Sequence, residues 1–566
     1  MLPRRAFIQQ SAAAFGSSLL LPAFAERAFG ARSGDAPARG FVDLAHPPNG
    51  VTVQTATGNV TLGAGPNGRW DGAGVQVRTI PTSGALRVEL AASSARVMRI
   101  GMRWNQRLDP VRAILGDAWE RGYGDLAWRG MEPDRVMPWY VAAWDGSRTH
   151  AYGVRTGAGA FCLWYVDPDG ISLWADVRSG AAPLELAGRD LAVCDVVCRA
   201  GEQGESAFAA IHAFCRQMCA SPRSPSEPVY GSNDWYYAYG KNSAATVLAD
   251  ADHIVELSPT GSNRPFVVID DGWQPGRGAN RDGAGTWDHA NEKFPDLPTV
   301  LGEITRRGAR PGLWIRPLQA AVATPDNWRL ARDRNVLDPT VAGVREKVTA
   351  DVARLGSWGC AMIKHDYSTF DLFGRWGYQM GSALTRDGWT FAEGPVRTTA
   401  EVIGELYRTI RSAAGDVTII GCNTVSHLSA GMFEICRIGD DTSGTDWART
   451  RKMGVNTLAF RGAQHGAFYT ADADCVGVTN AIPWALNRQW LELLSRSGTM
   501  VFVSLAPDAL GAEQRRDLRA ALARAARPAP LGEPLDWQRT AWPSRWRLMR
   551  EERSFQWGPA EAAPAS

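Results

Sequence analysis

The chain has 566 residues, with 61 Lys+Arg against 59 Asp+Glu and a formal charge of +2. So even a balance leaves no cationic surplus to neutralise a polyphosphate, which argues against a nucleic-acid binder. Hydrophobic residues at 45% and charged residues at 21% are ordinary for a folded protein and exclude bulk disorder. The 23 tryptophans stand out. Indole faces pack on the C–H faces of sugar rings, so the excess leans towards carbohydrate, and core filling accounts for it equally well.

In chain order, the paired Arg4-Arg5 with Phe7-Ile8 precedes a short apolar run, Ser11 to Leu21, and an Ala23-Phe24-Ala25 cleavage pattern. This is the layout of a twin-arginine export signal over residues 1–25. The run is shorter than the ~20 residues a spanning helix needs, and no other segment is long enough. The expectation is a periplasmic or secreted protein with no membrane span after cleavage.

Residues 40–200 carry short alternating runs, such as Val51 to Gly58, Leu86 to Leu90 and Phe161 to Val166, broken by Gly, Pro, Asn and Asp. Period-two alternation with frequent turns predicts antiparallel sheet, here a β-sandwich. A helix is expected over Glu205 to Met218. The Pro/Ser stretch Ser221 to Pro228 then reads as a linker, giving a boundary near 225 and an N-terminal unit over 26–225.

Beyond it, apolar runs buried on both faces alternate with helical patterns. The expected strands are Val229 to Trp235, Pro265 to Asp270, Gly312 to Arg316, Ala361 to Asp366, Val417 to Cys422, Glu434 to Ile438, Val455 to Phe460 and Met500 to Ser504. Helices are expected at Ala244 to Leu257, Val344 to Leu355 and Thr398 to Ala413. Eight such strands fit a (β/α)8 barrel over 226–505, although the interval from Cys422 to Glu434 is too short for a full helix. A helix at Gly511 to Ala526 follows. Alternating segments at Leu535 to Trp542 and Arg545 to Met549 then predict a small C-terminal β-containing domain over 506–566, frayed from Pro559. The fold class is therefore multidomain α/β: the barrel, a preceding sandwich and a small C-terminal domain.

The nine cysteines include two x3-spaced pairs, Cys194/Cys198 and Cys215/Cys219. The odd count leaves a free thiol, a bridge between the pairs stays open, and no Cys/His quartet of zinc spacing completes them.

Polar and aromatic residues gather where the expected strands end: Asp270-Asp271-Gly272-Trp273, Trp314-Ile-Arg316, Lys364-His-Asp366-Tyr367 and Arg437-Ile-Gly-Asp440-Asp441. In a barrel these ends share one mouth. Glycosidic cleavage needs one ionised carboxylate and one proton donor flanking the anomeric carbon. Asp366 suits the first, with Lys364 two residues back on the same strand face to depress its pKa. A buried structural ion pair is the competing account. Asp441 suits the second; it and its neighbour Asp440 should point oppositely and not share one role, one of the two being a solvated loop carboxylate. Asp270 and Asp271 can grip two sugar hydroxyls while Trp273 faces the ring. Paired aspartates also ligate divalent cations, but no phosphate-cradling loop accompanies them and no metal is expected. His365 should face away from Lys364 and Asp366. The stretch Gly276 to Gly283 lacks the strand–helix setting of a dinucleotide fingerprint, and no Gly-x-Ser-x-Gly or His-Glu-x-x-His occurs.

Val268 to Gln274, Ile363-Lys-His-Asp366 and Cys436 to Thr442, with Ile419 to Asn423 running on to Gly431-Met-Phe, resemble the α-galactosidases of glycoside hydrolase family 36, which shares a clan with family 27. The resemblance covers about residues 225–505. It implies a retaining exo-α-galactosidase without metal or cofactor. By that resemblance Asp366 is the nucleophile and Asp441 the acid/base. Asp270, Asp271, Trp273, Lys364, Arg437, Trp235, Trp314 and Cys422 are then candidate substrate contacts. Family members are often oligomeric, which leaves a homo-oligomer open. The family's Cys-Ser-Ser-Gly-Gly-type loop is replaced by Cys422-Asn-Thr-Val-Ser. Contacts near the sugar's 2-position therefore stay open, and with them α-N-acetylgalactosaminidase, β-L-arabinopyranosidase and transglycosylase activities. A non-catalytic carbohydrate-binding protein is the remaining alternative.

Overall fold

The structure, a computed structural model, describes residues 41–558 apart from 109, 277–282 and 386–387. The expected export signal, the interior of the Gly276 to Gly283 stretch and the tail from Pro559 lie outside the described residues. No helix among the described residues is long and apolar enough to cross a membrane.

Two antiparallel sheets, of six and eight strands, account for most of residues 50–199. The expected strands fall in them at Gly50–Thr55, Ala85–Ala92 and Phe161–Asp167. A helix, Ala207–Met218, follows, N-capped by the Ser206 side chain. All nine cysteines are free, the two x3-spaced pairs included.

The rest of the chain is organised by a curled parallel sheet. Its strands are β1 (Tyr230–Asn233), β2 (Phe266–Ile269), β3 (Arg310–Ile315), β4 (Met362–His365), β5 (Thr418–Gly421), β6 (Ile435–Arg437), β7 (Thr470–Asp472), β8 (Cys475–Val478) and β9 (Val501–Leu505). The order is β7-β6-β5-β4-β3-β2-β1-β9-β8, every pairing parallel. The two ends of that order, β7 and β8, are separated in the chain only by Ala473 and Asp474. Asp474 takes a left-handed φ of 75° that kinks the segment there. Phe266-Val-Val-Ile is buried throughout, as a strand covered on both faces must be. Helices at Ala244–Leu257, Ala342–Ser357 and Thr399–Ala414 occupy the expected intervals. Reciprocal capping boxes, Ser243 with Thr246 and Thr398 with Glu401, fix two of their starts. The short interval after β5 holds one turn, Ser426–Ser429.

Two sequence expectations are overturned. Val455 to Phe460 is helical, continuous with the turns that begin at Trp447. All six of its residues are buried, Asn456 and Thr457 included, so no exposed polar face gives a period to separate strand from helix. The missing strand is instead Thr470 to Val478, masked in the sequence by Asp472 and Asp474. Leu535 to Trp542 is a turn rather than a strand. Asp536 accepts hydrogen bonds from the Ser544 and Arg545 N–H groups and folds the chain back. The terminal sheet comprises Glu533–Pro534, Arg545–Leu548 and Glu551–Ser554, after a helix at Ala512–Ala525.

Candidate active site

The C-terminal ends of the parallel strands carry the polar residues, because the strand interiors are apolar and the chain leaves the sheet there. From β4, Asp366 is 4% exposed. Its Oδ2 accepts the Trp314 indole N–H at 3.1 Å and its Oδ1 accepts the Tyr367 backbone N–H at 2.9 Å. Tyr367 has a left-handed φ of 68°, an uncommon conformation for a bulky residue, and that turn places its N–H on the carboxylate. Arg316, paired with Asp371, lies 4.5 Å from the Tyr367 ring and braces it.

Asp270, at the end of β2, is the partner of Lys364. The ammonium lies 2.5 Å from Oδ2, and Asn233 donates to the same oxygen at 2.8 Å. Lys364 thus makes its ion pair across the sheet with Asp270, while its charge also acts on Asp366 as expected, the weaker of the two attractions. With its oxygen committed to an ammonium and an amide, Asp270 is furnished to accept hydrogen bonds rather than to ligate a cation. Asp271 is half-buried and accepts from Gln274 at 2.6 Å. Asp234, after β1, takes the Asp270 N–H at 2.9 Å and the Asn242 amide at 2.9 Å. Burial and the Asp270 charge push its pKa up to about 7.

Trp273 does not face the site. It is 0% exposed, packed on Trp287 and Trp358, and donates its indole N–H to the Trp314 carbonyl at 2.9 Å. Gly272, with a φ of 135°, reverses the chain so that the indole turns into the core. Trp235 is half-buried and edge-on to Tyr239. His365 points away from Asp366 and Lys364, between Tyr407 and Phe433.

Arg437, from β6, is 3% exposed and gathers three carboxylates: Asp472 at 2.8 Å, Asp474 at 2.8 Å and Asp441 at 3.5 Å. Tyr236 O–H and Thr442 N–H donate to Asp474. Asp440 and Asp441 diverge, as expected of neighbours, but Asp440 is no solvated loop carboxylate. Arg121 and Arg449 hold it from either side at 2.7 and 2.8 Å. Cys422 is 2% exposed with its thiol pKa pushed up by burial and by Asp366, although Arg437 and Lys364 oppose the shift. It is a small buried side chain between the two acid-bearing elements, not a nucleophile.

Sequence reasoning missed Asp234, Tyr236, Asp472, Asp474 and Arg121. The Asp472-Ala-Asp474 spacing was a usable signal once that segment was taken as a strand end. Arg121 had none, since it arrives from the β-rich region.

No protein-family model matches the chain, and no curated protein does. Solved structures match it over most of its length. Its structural neighbours are family 36 α-galactosidases. The α-galactosidase TtGalA of Thermus thermophilus, in complex with p-nitrophenyl α-D-galactopyranoside, is 18% identical, covering 89% of this chain and 99% of its own, with a TM-score of 0.57. A variant of the family 36 α-galactosidase AgaA of Geobacillus stearothermophilus, in complex with raffinose, is 16% identical, covering 91% and 80%, with a TM-score of 0.57. The galactosidase domain of α-galactosidase-sucrose kinase, AgaSK, is 16% identical over 86% and 75%, with a TM-score of 0.54. At these identities the likeness is one of fold.

Proposed function

We propose that the chain is a retaining exo-glycosidase that hydrolyses terminal α-galactosides by double displacement. The observation that carries the reading is the environment of Asp366. It is a nearly buried carboxylate at a parallel-strand end that accepts two N–H donors, with the Lys364 charge near enough to interact with it. In this reading Asp366 attacks the anomeric carbon while Asp441 gives its proton to the departing oxygen. Asp441 then draws a proton from water, which releases the sugar with net retention. The two carboxyl groups must lie about 5–5.5 Å apart for this chemistry. Asp270 and Asp271, with Lys364, accept and donate to ring hydroxyls. Arg437 and the Trp314 and Trp235 rings complete the candidate contacts, with Cys422 beneath them.

The same proposal takes the parallel sheet as a (β/α)8 barrel spanning 226–505, closed where β7 and β8 are one kinked strand. It takes 26–225 as a sandwich with its linker and 506–566 as a small terminal domain. We also propose export by the N-terminal signal to the periplasm or beyond.

A panel of nitrophenyl glycosides tests the activity. Turnover of the α-galactoside is expected, and preference for the α-N-acetylgalactosaminide or β-L-arabinopyranoside would move the reading to those sugars. Transfer to added acceptors would move it to a transglycosylase. NMR of the first-released sugar should show the α-anomer, and β-galactose would refute retention. Near-normal turnover by Asp366→Ala would remove the nucleophile assignment.

A further inference from the structure

We propose that Arg121, contributed by the β-rich region, is a positioning residue for Asp441. The inference rests on the reading of Asp441 as proton donor and adds a residue that never meets the sugar.

The segment around Arg121 pairs with the backbone just past β6. Gly122 N–H donates to the Ile438 carbonyl at 2.8 Å, Asp440 N–H donates to the Gly122 carbonyl at 2.9 Å, and Gly122 bridges Gly439 in parallel. Both positions require glycine. A Cβ on Gly122 would come 2.8 Å from the Thr457 methyl, and one on Gly439 would come 2.3 Å from the Thr457 hydroxyl. From this seam the Arg121 side chain, 2% exposed, reaches Asp440 Oδ1 at 2.7 Å and the Cys422 carbonyl at 3.3 Å. Burial works against its charge, but Asp440, with Tyr123 and Glu120, holds its pKa well above the ordinary value. Arg449 closes on the other oxygen of Asp440 at 2.8 Å.

Asp441 therefore sits between two pinned neighbours. Asp440 is fixed by its N–H and by two guanidinium groups, and Thr442 by its N–H on Asp474 Oδ2 at 2.7 Å. A proton donor works only within about 2.6–3.2 Å of the leaving oxygen. A displacement of about 1 Å from a remote change can cost on the order of 10²-fold. With the Gly122 backbone, Arg121 ties Asp440 from outside the parallel sheet, and its guanidinium adds the side-chain link that joins the β-rich region to the acid step.

The test is leaving-group dependence. A 2,4-dinitrophenolate departs without a proton, whereas methanol from methyl α-galactoside does not. Arg121→Met should lower kcat/KM for methyl α-galactoside by on the order of 10²-fold and for the dinitrophenyl α-galactoside by less than about threefold. Arg121→Lys should recover part of the loss. Asp440→Asn should reproduce the split and carries the test if Arg121→Met does not fold. Equal losses on both substrates, or no loss on the methyl glycoside, would overturn the proposal. Asp441→Asn is the reference. If it shows the split and the Arg121 and Asp440 variants do not, only this inference falls. If it loses both substrates equally, the donor assignment falls and this inference with it.

Discussion

Lys364 Nζ lies 2.5 Å from Asp270 Oδ2, although Asp366 is only two residues away on the same strand face. The pair crosses from the end of β4 to the end of β2, and both members are less than a tenth exposed. A buried ion pair of this kind contributes little by existing and much by not being broken. Lys364→Met should destabilise the protein by roughly 3–5 kcal/mol, because it strands the Asp270 carboxylate. Guanidinium unfolding of both proteins at pH 7.5 reads this directly, and a deficit below about 1 kcal/mol would refute it.

Trp273 carries a second expectation, opposite to the one its sequence context suggested. Its indole is in the core and holds the Trp314 carbonyl. Trp273→Phe should cost about 1–3 kcal/mol from the unpaired carbonyl and the vacated volume. KM for an aryl α-galactoside should stay within about twofold, since uniform binding is untouched. A raised KM with unchanged stability would return Trp273 to the sugar.

These two residues also mark the limit between what sequence reading reaches and what it misses. Strand ends bearing Asp270, Lys364, Asp366 and Arg437 were legible because charged residues closing an apolar run have few structural uses. Seven of the eight expected strands are present for the same reason. What sequence could not give was pairing at a distance: Lys364 with Asp270, Arg437 with Asp472 and Asp474, Arg121 with Asp440. The lost strand follows from that limit. Asp472 and Asp474 made Thr470 to Val478 look like a loop; the Arg437 guanidinium pairs with both, at the end of β7 and at the kink after it, and Tyr236 and Thr442 also donate to Asp474. Val455 to Phe460 failed for the complementary reason, since a run buried all round has no exposed polar face to reveal its period.

Asp234 gives a pH expectation. Its pKa is pushed up to about 7 by burial and by the Asp270 charge, against about 3.9 in an unfolded chain. Between these values the folded protein holds a proton that the unfolded chain has released. Stability from this group is full below about pH 4 and declines as pH rises towards 7, by up to about 1.4 kcal/mol per unit. Asp234→Asn cannot titrate, so the stability difference, variant minus parent, should rise between pH 4 and 7 and then level. A pH-independent difference in urea unfolding would show that Asp234 is already ionised in the fold.

His365 runs in the other direction. It is 0% exposed, lies between the Tyr407 and Phe433 rings, and neither ring nitrogen has a hydrogen-bond partner among the described residues. Burial lowers its pKa to about 4, so the fold keeps it neutral while an unfolded histidine protonates near 6.5. Its stability contribution is intact above about pH 6.5 and is lost as pH falls through about 4, at up to about 1.4 kcal/mol per unit. His365→Phe removes both liabilities, the titration and the unpaired nitrogens. It should stabilise by about 1–3 kcal/mol at pH 7.5 and by more at pH 4.5. Denaturant midpoints at those two pH values decide the matter. A variant no more stable than the parent at either pH would mean that the imidazole is engaged by a buried water, and that the pocket is built around its polarity.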